Sequence, residues 1–205
     1  MPSSPKIKKE EMLQAALEIV IERGYSSLNI KAVAQKLGCS TAPISWQFGG
    51  MDGLRGELIS FAEQYVRKDN RDSCMREISA FEQRGMSTIE LALEKPNLFR
   101  FLYMGERNQL LSSGFQLTAD DNGVVYQKMA DDLGISLDKV LEFTMLMLIY
   151  TQGIGSLIVS GIVTDTKENM FQMLHKTGVT YLKGLGVEEG ILQSLSGNDW
   201  RRNDE

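Results

Sequence analysis

Apolar positions recur along this chain every three to four residues, and no run alternates in the manner of a strand, so the pattern predicts an all-α fold. Near the N-terminus Met12, Ala15, Ala16, Ile19 and Val20 line one face of a helix, which Gly24 stops just after Arg23. In NIKAVAQKLG, Asn29 is placed to cap a second helix. Ile30, Val33, Ala34 and Leu37 form its inward stripe and Gly38 ends it.

The next stretch, QKLGCSTAPISWQFGG, carries a proline in an apparent helix. With Ser40 as N-cap, Pro43 falls in the first turn, where backbone N–H groups have no partner inside the helix and proline loses nothing. Pro43 therefore marks where the helix begins. Two short helices joined through Gly38, Cys39 and Ser40 are a helix-turn-helix.

A long helix is expected from Asp52 to Lys68, with Leu54, Leu58, Phe61, Ala62 and Tyr65 on one face. Further helices are expected near 75–94, 96–105, 123–133, 138–161 and 166–184, with Pro96 opening its own helix and GNDWRRNDE closing the chain as a tail. The implied domains are residues 1–50, with the motif at about 29–48, then 51–190, then a flexible tail over 191–205. There is no internal repeat and no low-complexity tract.

Charge sharpens this division. The net charge is −5, yet residues 1–50 hold six basic and four acidic side chains, so the excess of acid lies in the remainder. A basic head on an acidic body suits an anionic partner for the head. Lys6, Lys8 and Lys9 form an arm beside the motif, either solvated or drawn to DNA. From Phe143 to Thr164 no side chain is charged. Interspersed Thr, Gln, Ser and Gly dilute that run, which reads as a helix in a protein interface and not a membrane span.

Candidate chemistry is sparse. Cys39 and Cys74 show neither metal-ligand spacing nor a disulfide framework, and no apolar leader opens the chain, so a reducing cytoplasm is expected. The single histidine, His175, has no helix-spaced carboxylate–histidine motif to form a metal site with. No nucleophile motif or phosphate loop is present, so neither an enzyme nor a cofactor is expected.

AALEIVIERGYSSLNIKAVAQKLGCSTAPISWQFGGMDGL, within residues 12–58, resembles the N-terminal domain of TetR-type transcriptional regulators. IELALEKPNLFRFLYMG and YTQGIGSLIVSG are similar to segments of that family's helical ligand-binding and dimerisation domain. The resemblance implies a homodimeric regulator, a repressor by family habit, that binds a palindromic operator in double-stranded DNA and is released by a small-molecule effector. The alternative is a TetR-like interaction protein acting through a protein partner.

The resemblance makes Thr41–Phe48 the recognition helix. Ile44 and Phe48 would point inward, leaving Thr41, Ala42, Pro43, Ser45, Trp46 and Gln47 for DNA, with Lys31 and Lys36 adding attraction. The Gln47 amide can pair with adenine, and the Trp46 indole N–H can donate to a phosphate. Two positions depart from the family pattern: Ser45 stands where many members carry tyrosine, and Met51 where many carry lysine. Both family residues usually hold phosphates.

An apolar ligand is expected between the Asp52–Lys68 helix and the helices near 96–105 and 138–150. Tyr65, Tyr103 and Tyr150 would supply hydroxyls, and Phe99, Phe143 and Met147 apolar walls. A dimer interface is expected from the 138–161 and 166–184 helices. It would use the small face of Gly153, Ser156 and Ser160 together with Leu157, Met173 and Tyr181.

Overall fold

The computed structural model describes residues 7–68, 77–105 and 119–196, which contain ten α-helices and no strand. The helices fall into two compact units. One comprises Met1–Arg71 and Glu94–Gly105, the other Asp72–Leu93 and Glu106–Glu205.

In the first unit α1 spans Lys9–Arg23. The Glu11 carboxylate accepts the Lys8 backbone N–H at 2.6 Å, satisfying a donor at the helix start, and two acidic residues in the first turn complement the helix dipole. Gly24, at φ 81°, donates its N–H to the Val20 carbonyl and stops the helix. The second helix, α2, spans Ile30–Leu37 and is capped by Asn29, whose side chain accepts from the Ala32 N–H at 2.8 Å. Gly38 closes it in the left-handed conformation.

The third, α3, spans Ala42–Phe48, with Pro43 in the first turn as expected. Thr41, not Ser40, precedes the helix; its backbone is already helical and its side chain makes no capping bond. The next helix, α4, spans Met51–Lys68. Leu54 and Leu58 are fully buried. Burying a leucine is worth about 1.5–3 kcal/mol, which ties the first two turns of α4 into this unit. The compact boundary accordingly falls near residue 71 and not at 50.

The helix expected at 96–105 is divided. Pro96–Phe99 is a short α6, and Arg100–Met104 is a single π-helical turn. Leu98, Phe99, Phe101 and Leu102 are all buried, a wider apolar arc than one α-helical face supplies, and the π turn accommodates it. The Asn97 side-chain amide donates to the Ile21 carbonyl at 3.1 Å, near the end of α1.

The second unit contains α5 (Glu77–Glu94), α7 (Ala119–Leu133), α8 (Leu137–Val159), α9 (Lys167–Gly184) and α10 (Glu189–Ser196). Ile89, Met129, Leu133, Val140, Met170 and Leu174 lie at its core. Two buried threonines on α8 satisfy themselves locally, Thr144 donating to the Leu141 carbonyl and Thr151 to that of Met147. On α5 and α9, Glu82 pairs with His175 at 2.6 Å and Glu90 with Lys167. Both pairs are eight residues apart on each helix and run in opposite chain directions, so the helices are antiparallel. Between the pairs, a Cβ on Gly85 would lie 3.0 Å from Leu174 Cδ2, so the glycine permits close packing.

The tail expected from 191 is corrected by α10. Leu192 and Leu195 are buried, which holds residues 191–196 in the fold. Residues 197–205, Lys6 and Cys74 lie outside the described residues.

Candidate nucleic-acid interface

The two ends of α3 are fixed in different ways, and together they leave one face of the helix open. Ile44 is fully buried and Phe48 nearly so, four residues apart and therefore on the same side. Thr41, Ala42, Pro43, Ser45 and Trp46 are exposed, and Gln47 is half-buried. Trp46 is 83% exposed, the most exposed large hydrophobic side chain among the described residues. A protein class follows from this geometry: a helix-turn-helix whose second helix offers polar and apolar groups on its free face can enter a DNA major groove.

Residues 12–58 match the family model "Bacterial regulatory proteins, tetR family". Over that segment the chain is similar to the TetR family of regulators. A TetR-like transcriptional regulator from Rhodococcus sp. RHA1 shares its fold, with a TM-score of 0.59 at 13% identity, covering 90% of this chain and 98% of that one. No curated protein matches the chain.

The basic residues around α3 divide into two groups. Lys31 stays exposed. Lys36 does not serve as a free cation, because it bridges Glu18 at 2.9 Å and Glu22 at 3.3 Å, tying α2 to α1. The Glu18 hydrogen bond raises the lysine pKa above its ordinary value. Glu18 is held below the usual carboxylate range, first by the Gln14 amide and then by Lys36. Lys9 pairs with Glu57 and lies over the Phe48 ring, 5.9 Å from its centre. The sequence offered acidic residues on α1 but not their alignment with α2, so the neutralisation of Lys36 was not visible there. Arg55, absent from the sequence reading, stacks on Tyr25 at 5.0 Å, and Tyr25 in turn stacks on Phe101 at 5.3 Å.

The six residues expected around a ligand are divided between the units. Tyr65, Phe99 and Tyr103 belong to the first, and Phe143, Met147 and Tyr150 to the second. Tyr65 accepts a hydrogen bond from Lys95 at 3.0 Å, and Tyr103 packs its ring against that of fully buried Phe99. The Phe143 ring packs against those of Phe81 and Tyr181. Met147 is buried in the same core, and the Tyr150 hydroxyl accepts from Thr177 at 3.1 Å.

Of the expected dimer residues, Gly153, Leu157, Ser160 and Met173 are exposed and Ser156 is half-buried. The Tyr181 hydroxyl is engaged by Glu142 of its own chain. Leu146 and Ile149, which the sequence reading left out, are exposed on α8 at helical spacing from Gly153 and Leu157.

Proposed function

We propose that the protein is a homodimeric transcriptional repressor that binds a palindromic DNA operator through α3 and is released by a small apolar effector. The observation that carries this reading is the open face of α3, with Trp46 exposed and Gln47 beside it, on a helix anchored by buried Ile44 and Phe48. Two copies would present two recognition helices to half-sites separated by about 34–36 Å, one turn of DNA, or a multiple of it. The exposed stripe of Leu146, Ile149, Gly153 and Leu157, with Met173 nearby in sequence on α9, supports pairing of two chains through α8 and α9. The effector must prefer a conformer that cannot bind the operator, since a ligand with equal affinity for both states shifts nothing.

The test selects binding sequences from a random duplex pool with the purified protein and examines them by mobility shift. A palindromic consensus whose affinity falls steeply with salt is expected. Recovery of no preferred sequence would sink the operator reading.

A second reading has its own support. Lys36 and Lys9 are occupied by internal carboxylates, and Ser45 and Met51 supply neither of the phosphate contacts common in the family. A protein partner for the α3 face fits these facts, and a failed DNA selection would favour it.

A further inference from the structure

The corner that joins α3 to α4 is closed more tightly than a side chain would permit. Its sequence is FGGMDG, residues 48–53. Gly49 and Gly50 both have positive φ, 67° and 117°, so the chain reverses between the helices in two residues. Gly53 then sits in the first turn of α4 with a helical φ, where backbone freedom is not the reason for a glycine. The reason is space. A Cβ on Gly53 would stand 1.8 Å from the Phe48 carbonyl oxygen and 3.0 Å from its carbon. Ordinary contact begins near 3.4 Å, so the Phe48 carbonyl and the first turn of α4 would have to separate by about 1.6 Å.

Phe48 has little room to retreat. Its ring is buried, the Lys9 ammonium lies over it, and Lys9 is held by Glu57 of α4. Phe48 is also the last residue of α3, directly after Trp46 and Gln47. Moving its carbonyl by more than an ångström displaces the C-terminal end of the short helix that carries those two side chains. Hydrogen bonds to base edges hold only within about 2.7–3.2 Å, so a shift of that size breaks the register of readout.

We propose that Gly53 is a positioning residue for the recognition helix: its missing side chain lets α4 seat against the Phe48 carbonyl and sets where Trp46 and Gln47 meet DNA. The proposal rests on the DNA-binding reading above. It assigns sequence discrimination partly to a residue that touches no base.

The test compares Gly53→Ala with Gly56→Ala, because a Cβ at position 56 on the same helix meets nothing within 4 Å. The readout is the ratio of affinities for the selected operator and for random duplex at one salt concentration. Gly53→Ala is expected to lower this ratio at least tenfold, with random-duplex affinity and salt slope retained, while Gly56→Ala leaves it within twofold. A core variant of matched thermal midpoint, such as Ile59→Val, should also keep the ratio, since loss of stability alone does not alter discrimination. Without DNA, amide NMR shifts of residues 46–50 and the Trp46 indole should move in Gly53→Ala and stay in place in Gly56→Ala. An unchanged ratio, unchanged shifts in folded Gly53→Ala, or an unfolded Gly53→Ala beside a folded Gly56→Ala would each overturn the positioning role. Failure of the unaltered protein to bind any duplex would remove the DNA reading, while the NMR comparison would still judge the displacement.

Discussion

Gln47 and Lys31 separate two kinds of DNA contact. A glutamine amide pairs with one base edge, whereas an exposed lysine meets phosphate irrespective of sequence. Gln47→Ala should therefore relax base preference at one position in each half-site, at a cost of about 1–3 kcal/mol for the matched operator. Lys31→Ala should weaken binding evenly across sequences and flatten the salt slope by about one unit. Competition assays against single-base operator variants distinguish the two, and an unaltered preference in Gln47→Ala would place the reading face elsewhere. Which α3 residues are free was legible from Ile44 and Phe48 alone, because two large apolar side chains four apart must share the buried side. The fate of Lys36 was not legible. Its partners, Glu18 and Glu22, are more than a dozen residues away in the chain and reach it only because α1 packs on α2.

At the scale of elements, α5 and α9 offer a pH test. The Glu82 hydrogen bond raises the pKa of half-buried His175 above the ordinary histidine value, with burial opposing it. A histidine whose folded pKa is raised contributes stability that is fully present below its unfolded pKa of about 6.5. That contribution is lost as pH rises through the folded pKa. The thermal midpoint should accordingly fall as pH rises above about 6.5 in the unaltered protein. His175→Gln should lose this part of the pH dependence, and because the chain has one histidine the comparison is clean. Identical pH profiles for the two proteins would mean that the clip contributes nothing. Helix periodicity predicted α1 to α5, α8 and α9 to within a few residues, and α7 from 123 where it begins at Ala119. It missed α10, a short segment whose Leu192 and Leu195 matter only because a core is there to receive them, and it missed the π turn, which answers to the packing of Leu98 to Leu102.

For the whole molecule, two predictions follow from how the second unit presents itself. The exposed apolar stripe on α8 passes through Gly153, where an added Cβ would meet nothing in its own chain. Gly153→Trp should leave the fold of one chain intact and block approach of a second, giving a monomer in sedimentation velocity and lower operator affinity. A dimer of unchanged affinity would count against this interface. The proposed effector is apolar because the run from Phe143 to Thr164 holds no charge to compensate a charged guest, and an unpaired buried charge is costly. A thermal-shift screen should find lipophilic compounds that stabilise the protein and whose effect shrinks in Phe143→Ala. Stabilisation by polyanions alone, indifferent to Phe143→Ala, would refute that choice of effector.

What the sequence determined by itself was local: helix periodicity, the Asn29 cap, Pro43 in a first turn and the inward pair Ile44 and Phe48. Each depends on backbone geometry within a few residues, so the chain states it directly. What only the tertiary structure decided depends on which groups meet across helices. The pairing that neutralises Lys36, the division of the six expected ligand residues between two units and the burial of α10 all belong there. So does the contact at Gly53. The cluster FGGMDG announces a turn, but only the approach of α4 to the Phe48 carbonyl explains why its third glycine lies inside a helix, where glycine costs about 1 kcal/mol relative to alanine.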